Sequence, residues 1–268
     1  MLTDTHCHLD DPRFEDDLDA VLARAVAAGV GRMLIPGVSP ARWPRARALA
    51  ARVGGSYALG THPHALTETQ EVPTDPGGAV AIGECGLDGA IAVPWEVQER
   101  VLLAHLALAR ECGLPVILHV YRAHDRMLPI LRDWAPIRGV VHSFSAGPEL
   151  VPEYIALGLH LSMCGPVTWE RAHKPLRTLR AIPKERLLLE TDAPAQCPRP
   201  WRGRNEPAFL PAILAAMETA RGEALRDILE SNARSLGWWV NGSTRPPGGA
   251  PPRGDGGPPG AHACSWCC

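Results

Sequence analysis

The chain has 268 residues and a formal net charge of −2 at neutral pH. This balance excludes a protein that coats nucleic acid by bulk charge, so any contact with nucleic acid has to be a local patch. Because 46% of the residues are hydrophobic and 21% are charged, the composition is that of a folded chain with a sizeable core. The sequence has no apolar run of about 18 residues and no signal-peptide pattern at its N-terminus, which predicts no membrane span. Five cysteines scattered singly over residues 7–197 argue against a disulfide scaffold and favour a reducing cytosol, so we expect a cytoplasmic location.

Short apolar runs bounded by Gly or Pro recur along the chain and predict strands. These runs cover residues 2–7, 32–36, 57–61, 79–83, 115–120, 139–143, 159–164 and 186–191. Amphipathic stretches between and after them predict helices over residues 14–28, 95–111, 129–134, 149–157, 172–179, 206–220 and 224–236. A loop that contains Pro73 and Pro76 precedes the fourth run, so we expect one outer helix to be missing there.

Eight strands joined by helical crossovers predict a (β/α)8 TIM barrel over residues 1–239. An open doubly wound sheet has the same local pattern and is the alternative. The number of strands favours the barrel, and the location of the polar residues favours it further. Residues 240–268 are rich in Gly and Pro and show no apolar periodicity, which predicts a disordered tail.

Histidines and acids stand where the predicted strands end. They are His6 and His8 at the first strand, His62 and His64 at the third, Glu84 at the fourth, His119 at the fifth, His142 at the sixth and Asp192 at the eighth. Catalytic groups of a (β/α)8 barrel lie at the carboxyl ends of its strands. We therefore expect these side chains at one rim of the molecule.

The local spacing refines this expectation. His6 and His8 are two residues apart on a strand, so both imidazoles point to the same face, while Cys7 points away as a small buried residue. A carboxylate at the end of a buried strand is costly unless it is paired or bound to a metal. That argument applies to Glu84 and Asp192, whereas we interpret Asp88 as a helix cap or a loop-stapling residue.

Four histidines and two acids at one rim predict a pair of divalent cations. One cation would be held by His6, His8, Glu84 and Asp192, and the other by Glu84, His119 and His142. Glu84 can serve both because a carboxylate has two oxygens. Imidazole and carboxylate ligands suit Mg²⁺, Mn²⁺ or Zn²⁺ without choosing among them.

Six motifs in order resemble the TatD family of metal-dependent hydrolases. They are His-x-His-Leu-Asp at 6–10, Gly-x-His-Pro at 60–63, Gly-Glu-x-Gly-Leu-Asp at 83–88, Pro-Val-x-x-His at 115–119, His-x-Phe at 142–144 and Glu-Thr-Asp-Ala-Pro at 190–194. The segment Arg-Asn-Glu-Pro at 204–207 and the late Asn232-Ala233 are also similar to that family. The resemblance covers residues 1 to about 239, with departures at Gly89, at Tyr121 and after Leu236.

The resemblance implies a barrel of the metallo-dependent hydrolase kind that acts mostly as a divalent-metal DNase. It implies metal ligands at His6, His8, Glu84, His119, His142 and Asp192, the set that the strand-end argument also selects. His62 is expected to contact substrate, and His64 either does so or holds its loop. The substrate would be nucleic acid, with single-stranded DNA or 3′ ends favoured, and the favoured oligomeric state is a monomer.

We hypothesise phosphodiester hydrolysis, in which Asp192 takes a proton from the attacking water and Glu84 joins the two cation sites. Arg122 and Arg204 are predicted to hold flanking phosphates, with Arg126 and Arg202 as further candidates. Trp201 stands among arginines after the eighth strand, where it either stacks on an unpaired base or packs the barrel mouth.

Two other functions remain open from the sequence. An amidohydrolase would use the same barrel and ligands on C–N or ester bonds, including deacylation of aminoacyl-tRNA. A carboxylated Lys often bridges the metals in those enzymes, but Lys174 and Lys184 are not at predicted strand ends. A non-catalytic binding barrel is the third possibility, against which six intact candidate ligands argue.

Overall fold

The computed structural model describes residues 1–239 and contains eight parallel strands, each hydrogen-bonded to the next in chain order. The strands are β1 (Leu2–Asp4), β2 (Val30–Gly37), β3 (Ser56–Leu59), β4 (Ala81–Asp88), β5 (Val116–Tyr121), β6 (Gly139–Val141), β7 (Leu159–Met163) and β8 (Leu187–Leu189). The tail predicted over residues 240–268 lies outside the described residues, and the domain boundary at 239 stays a prediction.

Hydrogen bonds between the segments that follow β1 and β8 bring the two ends of the sheet together. The Thr5 amide donates to the Leu189 carbonyl at 3.1 Å, and the Asp192 amide donates to the His6 carbonyl at 2.9 Å. An open doubly wound sheet has no such junction and changes direction in its strand order. The (β/α)8 barrel is therefore confirmed.

Helices connect most of the strands and surround the barrel. They are α1 (Leu18–Ala27), α2 (Trp43–Val53), α3 (Trp95–Cys112), α4 (His124–Trp134), α5 (Val151–Ala156), α6 (His173–Ala181), α7 (Leu210–Arg221) and α8 (Arg226–Ser235). As expected, no helix longer than the short turn Pro63–Thr67 separates β3 from β4 within the described chain. Helix α2 has no counterpart among the predicted helices, because its arginines obscure the apolar positions Ala46 and Leu49.

Several predicted element boundaries differ from the structure by one to five residues, and the two largest differences are in β4 and α4. The fourth strand was predicted to end at Gly83, but β4 continues to Asp88 and pairs with β5 along that length. The two glycines at 83 and 86 hide this continuation, because glycine is depleted in strands. The fourth helix was predicted to begin at Pro129, but that residue lies inside α4, which begins at His124.

The barrel interior is closed at its amino end by the C-terminal segment. One apolar cluster contains a residue from each of six strands: Leu34, Ala58, Ala81, Ile117, Val140 and Leu188. Leu236 and Trp238, which follow α8, complete this cluster, and the Ser56 hydroxyl donates to the Trp238 carbonyl at 2.7 Å. The opposite, carboxyl end is left for polar residues.

Within residues 1–239, no helix combines the length and the apolar character that a membrane crossing requires.

Candidate metal centre

The six predicted ligands meet at the carboxyl end of the barrel. His6 and His8 follow β1, Glu84 lies in β4, His119 lies in β5, His142 follows β6 and Asp192 follows β8. The barrel closure therefore brings together residues up to 186 positions apart in sequence. Glu84 and His6 are fully buried, and the side chains of His8 and His119 are less than a fifth exposed.

One set of donor atoms surrounds the first two histidines. The Nε2 atoms of His6 and His8 lie 3.1 Å apart, and each is within 3.4 Å of Glu84 Oε2. Asp192 Oδ1 lies 3.5 Å from His8 Nε2 and 3.8 Å from His6 Nε2. The two rings thus face a common point, while Cys7 is buried on the other side against the Leu34 carbonyl.

A second set surrounds the other oxygen of Glu84. Glu84 Oε1 lies 2.7 Å from His142 Nε2 and 3.1 Å from His119 Nδ1. His62 Nε2 lies 3.1 Å from the same oxygen. The two carboxylate oxygens of Glu84 therefore face two different groups of imidazoles.

The chemistry of this donor set fits divalent cations. Three overlapping groups can each bring their donor atoms within 4.8 Å of one another: His6, Glu84 and His142; His6, His8 and Asp192; and His62, Glu84 and His119. Burial opposes ionisation of Glu84, but the neighbouring His142 and His62 outweigh it and hold the carboxyl pKa well below its ordinary value. Burial also lowers the pKa of His6, which favours the neutral imidazole that a metal needs.

Asp88 does more than the predicted loop stapling. Its Oδ1 accepts from the Ala90 amide at 2.8 Å, which is the stapling role, but its Oδ2 lies 3.1 Å from His119 Nε2 and 2.9 Å from His64 Nε2. A carboxylate on the far nitrogen of a ligand histidine fixes its tautomer and ring orientation. The signal in the sequence was the four-residue spacing from Glu84, which puts both acids on one face of a strand.

Hydrogen bonding fixes the tautomer of His62. Its Nδ1 accepts from the His64 amide at 3.0 Å, so a neutral ring carries its proton on Nε2, the atom that faces Glu84. Burial lowers the pKa of His62 to about 4, which keeps the ring neutral. His62 therefore presents an N–H donor to the cluster, and this distinguishes it from the six predicted ligands.

Gln196 contacts Asp192 and was missed in the sequence. Its Nε2 donates to Asp192 Oδ2 at 2.5 Å and to the Ser143 hydroxyl at 2.6 Å. Its Oε1 accepts from Cys164 Sγ at 3.3 Å, so every polar atom of the amide is used. No sequence motif predicts the role of Gln196, because it reaches Asp192 through the conformation of the loop.

Asp4 was also missed, although it is the last residue of β1 and precedes His6 by only two residues. Its two oxygens accept from the Thr191 amide at 2.9 Å and the Thr191 hydroxyl at 2.6 Å. Burial is the main cause that raises the Asp4 pKa, to about 7. This contact joins Asp4 at the end of β1 to Thr191, the residue before Asp192, and so aligns the two sides of the barrel seam.

The structure treats the two predicted phosphate-binding arginines differently. Arg204 donates to both oxygens of Asp17 at 2.7 Å and to Glu206 at 2.9 Å, so its guanidinium is occupied by protein carboxylates. That pairing gives no support to a substrate contact, and it makes Arg204 a structural residue. Arg122 is exposed, and its guanidinium lies 5.2 Å from the centre of the Tyr121 ring.

Comparisons with known proteins agree with this geometry. The family model described as TatD related DNase matches residues 3–236. The chain is 42% identical over 261 residues to the 3′-5′ ssDNA/RNA exonuclease TatD of Klebsiella pneumoniae strain 342, covering 89% of this chain and 99% of that protein. It is 34% identical to the uncharacterized metal-dependent hydrolase YabD of Bacillus subtilis strain 168, covering 88% and 98%.

A solved structure shows the same architecture. The crystal structure of YjjV, a TatD homologue from Escherichia coli K12, superimposes with a TM-score of 0.81 at 33% identity, covering 88% of this chain and 97% of that one. The family match spans nearly all of the described residues and includes each predicted ligand. The resemblance that the motifs indicated is confirmed, and the chain belongs to the family of TatD-related DNases.

Proposed function

We propose that this protein is a divalent-metal-dependent nuclease that hydrolyses phosphodiester bonds in single-stranded DNA or RNA, working from 3′ ends. The observation that carries the proposal is the arrangement around Glu84, whose two oxygens face two separate groups of imidazoles. The exonuclease activity named for the Klebsiella pneumoniae relative supports the choice of substrate. A cytoplasmic location and a monomeric state stay predictions from the sequence.

We assign two cations to the cluster. His6, His8, Glu84 and Asp192 would hold one, with Asp192 Oδ1 3.5 Å from His8 Nε2. Glu84, His119 and His142 would hold the other, because both imidazoles lie within 3.1 Å of Glu84 Oε1 and 3.3 Å from each other. When bound, Mg²⁺, Mn²⁺ or Zn²⁺ ions in such a pair polarise a phosphate oxygen and lower the pKa of a bound water. His62 is left out of both sets because its Nε2 carries a hydrogen.

Three side chains of the protein take part in the proposed hydrolysis. The Asp192 carboxylate accepts the proton of the attacking water, and Gln196 holds its other oxygen in place. His8 and other imidazoles keep the pKa of the buried Asp192 at about 2, so it enters the reaction ionised. The Nε2–H of His62 can donate to a non-bridging phosphate oxygen, because a neutral donor needs no titration to do so.

The flanking phosphates need cations, since the chain as a whole is slightly acidic. Arg122 follows His119 by three residues and is exposed at the same end of the barrel. We assign it to the phosphate next to the cleaved bond. Arg204 is not assigned to a phosphate, because its donors are already bound by Asp17 and Glu206.

The direct test is digestion of end-labelled single- and double-stranded oligonucleotides with a series of divalent metals. Asp192→Asn and His119→Ala should abolish hydrolysis, while His173→Ala, an exposed histidine on α6, serves as the control and should not. Metal analysis of the same preparations should show loss of bound metal in both site variants and full metal content in His173→Ala. Undiminished hydrolysis in either site variant would overturn the proposal.

A panel of amide, ester and aminoacyl-tRNA substrates separates the alternative chemistry. Both lysines of the described chain lie away from the strand ends, Lys174 in α6 and Lys184 in the turn before β8. Glu84 would therefore take the bridging position that a carboxylated lysine takes in many amidohydrolases. Faster turnover of an amide than of any oligonucleotide would replace the nuclease proposal by that alternative.

A further inference from the structure

Two tryptophans lie exposed on neighbouring loops of the carboxyl end. Trp169 follows β7 and is 42% exposed, and Trp201 follows β8 and is 40% exposed. Burying a large aromatic surface away from water is favourable. Two indoles that stay exposed at the active end of a barrel therefore indicate a contact surface. Neither residue touches the metal cluster in the contacts described above.

Specific contacts hold both side chains in place. Trp169 Nε1 donates to the Cys197 carbonyl at 3.0 Å, which joins the loop after β7 to the loop after β8. The Arg199 amide donates to the Thr168 hydroxyl at 2.7 Å and makes a second bridge between these loops. Trp201 stacks on Phe209, with ring centroids 4.5 Å apart and planes at 21°. The exposed ring surfaces are therefore preorganised.

Arginines without carboxylate partners lie within two residues of the two tryptophans in sequence. Arg171, Arg199 and Arg202 are exposed, and none forms an ion pair with another residue of the 1–239 segment. In contrast, Arg24, Arg204 and Arg221 each bind a carboxylate within 2.9 Å. Glu170 is the acid that interrupts the group. We call Trp169, Arg171, Arg199, Trp201 and Arg202 the Trp–Arg patch.

The patch is continuous with the candidate metal centre. Gln196 contacts Asp192, and the next residue, Cys197, carries the carbonyl that binds Trp169. A cavity of about 110 Å³ is lined by Gln196 and Ser143 on the side of the cluster and by Pro166, three residues before Trp169. A chain that leaves the metal centre over this cavity reaches the patch.

We propose that the Trp–Arg patch binds the single strand next to the cleaved end, with unpaired bases stacked on Trp169 and Trp201 and phosphates held by Arg171, Arg199 and Arg202. The position of this strand relative to the cleaved bond rests on the proposed nuclease function. Stacking on an indole needs an unpaired base, because both faces of a base in a duplex are already covered. The patch therefore selects single strands and is tolerant of sequence.

Binding can be measured apart from cleavage. The probe is a fluorescein-labelled oligo-dT with phosphorothioate linkages, compared with an abasic oligomer of the same length and linkage. Trp169→Ala and Trp201→Ala should each weaken binding of oligo-dT about 10-fold, since a base–aromatic stack contributes on the order of 1–3 kcal/mol, and should leave binding of the abasic oligomer unchanged. Arg199→Ala and Arg202→Ala should weaken binding of both probes.

Three controls distinguish loss of stacking from loss of fold. Leu103→Ala removes an apolar side chain that is 39% exposed on α3 and should bind both probes as the wild type does. Trp201→Phe keeps a ring for the stack on Phe209 and should retain most of the oligo-dT affinity. Hydrolysis of bis(p-nitrophenyl) phosphate, which carries no base, should have the same kcat/KM in the tryptophan variants as in the wild type.

The outcomes separate the patch from the proposed function. If both tryptophan variants bind oligo-dT as the wild type does, or lose both probes equally, the patch is not a stacking surface even though the protein cleaves DNA. If the wild type binds oligo-dT more tightly than the abasic oligomer but cleaves nothing with any metal, the nuclease proposal fails and the patch stands.

Discussion

The two ends of the barrel are built in opposite ways. At the amino end, Leu236 and Trp238 pack on the barrel interior, and both are 1% exposed. At the carboxyl end, the equally buried Glu84 is surrounded by imidazoles. Apolar burial stabilises a fold by about 25 cal/mol per Å², whereas a buried carboxylate is costly without partners. The comparison shows that apolar burial at the amino end stabilises the fold and offsets the cost of the buried charged groups at the carboxyl end.

Backbone conformation follows the same division. Over residues 1–239, the non-glycine residues with positive φ are Arg122, Ser143, Asp192 and Gln196, and all four follow strands at the carboxyl end. Such conformations cost roughly 1–3 kcal/mol each and persist only where the surroundings impose them. Asp192 and Gln196, at φ values of 58° and 51°, are also joined by a hydrogen bond. Three of these four residues, Arg122, Asp192 and Gln196, have a role in the proposed reaction.

The largest effect is expected at Glu84. Glu84→Gln keeps the shape of the side chain but removes the charge that faces both groups of imidazoles, so neither cation would be held. We expect the rate of hydrolysis of single-stranded DNA to fall by about 10³-fold or more, since a pair of bound cations contributes several kcal/mol of transition-state stabilisation. Metal content of the purified variant should fall with it. A variant with full metal content and full activity would show that Glu84 is not the bridge.

Trp238→Ala tests the amino end. Removing a buried Trp typically costs about 3–5 kcal/mol of unfolding free energy, so chemical denaturation should show a large loss of stability. Activity per folded molecule should stay at the wild-type level, because Trp238 lies at the opposite end from the cluster. Trp238→Phe should be much milder, since the indole N–H finds no partner among the described residues. Loss of activity in folded Trp238→Ala would contradict the division between the two ends.

Gln196→Leu should lower activity by a smaller factor and leave stability unchanged. The substitution removes the donor to Asp192 while keeping a side chain of similar size, and loss of a residue that orients a metal ligand typically costs about 10–100-fold. We expect the fall in kcat rather than in KM for oligo-dT, because Gln196 acts through Asp192. Ser143→Ala is the control, as it removes the other partner of the same amide without touching Asp192. Equal kcat in the wild type and Gln196→Leu would exclude the positioning role.

The contrast between the ends also explains what sequence reasoning could find. Apolar runs and the polar residues after them identified the barrel and its active end, because both depend on local patterns. The family assignment followed from motifs that lie at those strand ends. The six predicted ligands came from the same rule, and the structure places them together, although their binding of metal stays a proposal.

Contacts between distant loops could not be read in this way. Gln196 meets Asp192 through a left-handed turn, and Arg204 meets Asp17 across 187 residues. Neither residue type has a local pattern that names its partner. Asp88 was within reach, because its period-two spacing from Glu84 on a strand was visible, but the predicted end at Gly83 removed it from that strand.

Arg204→Ala should have the smallest effect and distinguishes a structural role from phosphate binding. Hydrogen bonds from Arg204 lower the pKa of Asp17 from 3.8 to about 2. A carboxyl with a depressed pKa stabilises the fold above its ordinary pKa and loses that contribution as pH falls. These groups are partly exposed, so Tm at neutral pH should fall by no more than about 2–4 °C, and the difference from the wild type should shrink between pH 4 and pH 2. KM for oligo-dT should be unchanged in Arg204→Ala, whereas Arg122→Ala should raise it. A raised KM in Arg204→Ala with an unchanged Tm would instead show that Arg204 binds a substrate phosphate.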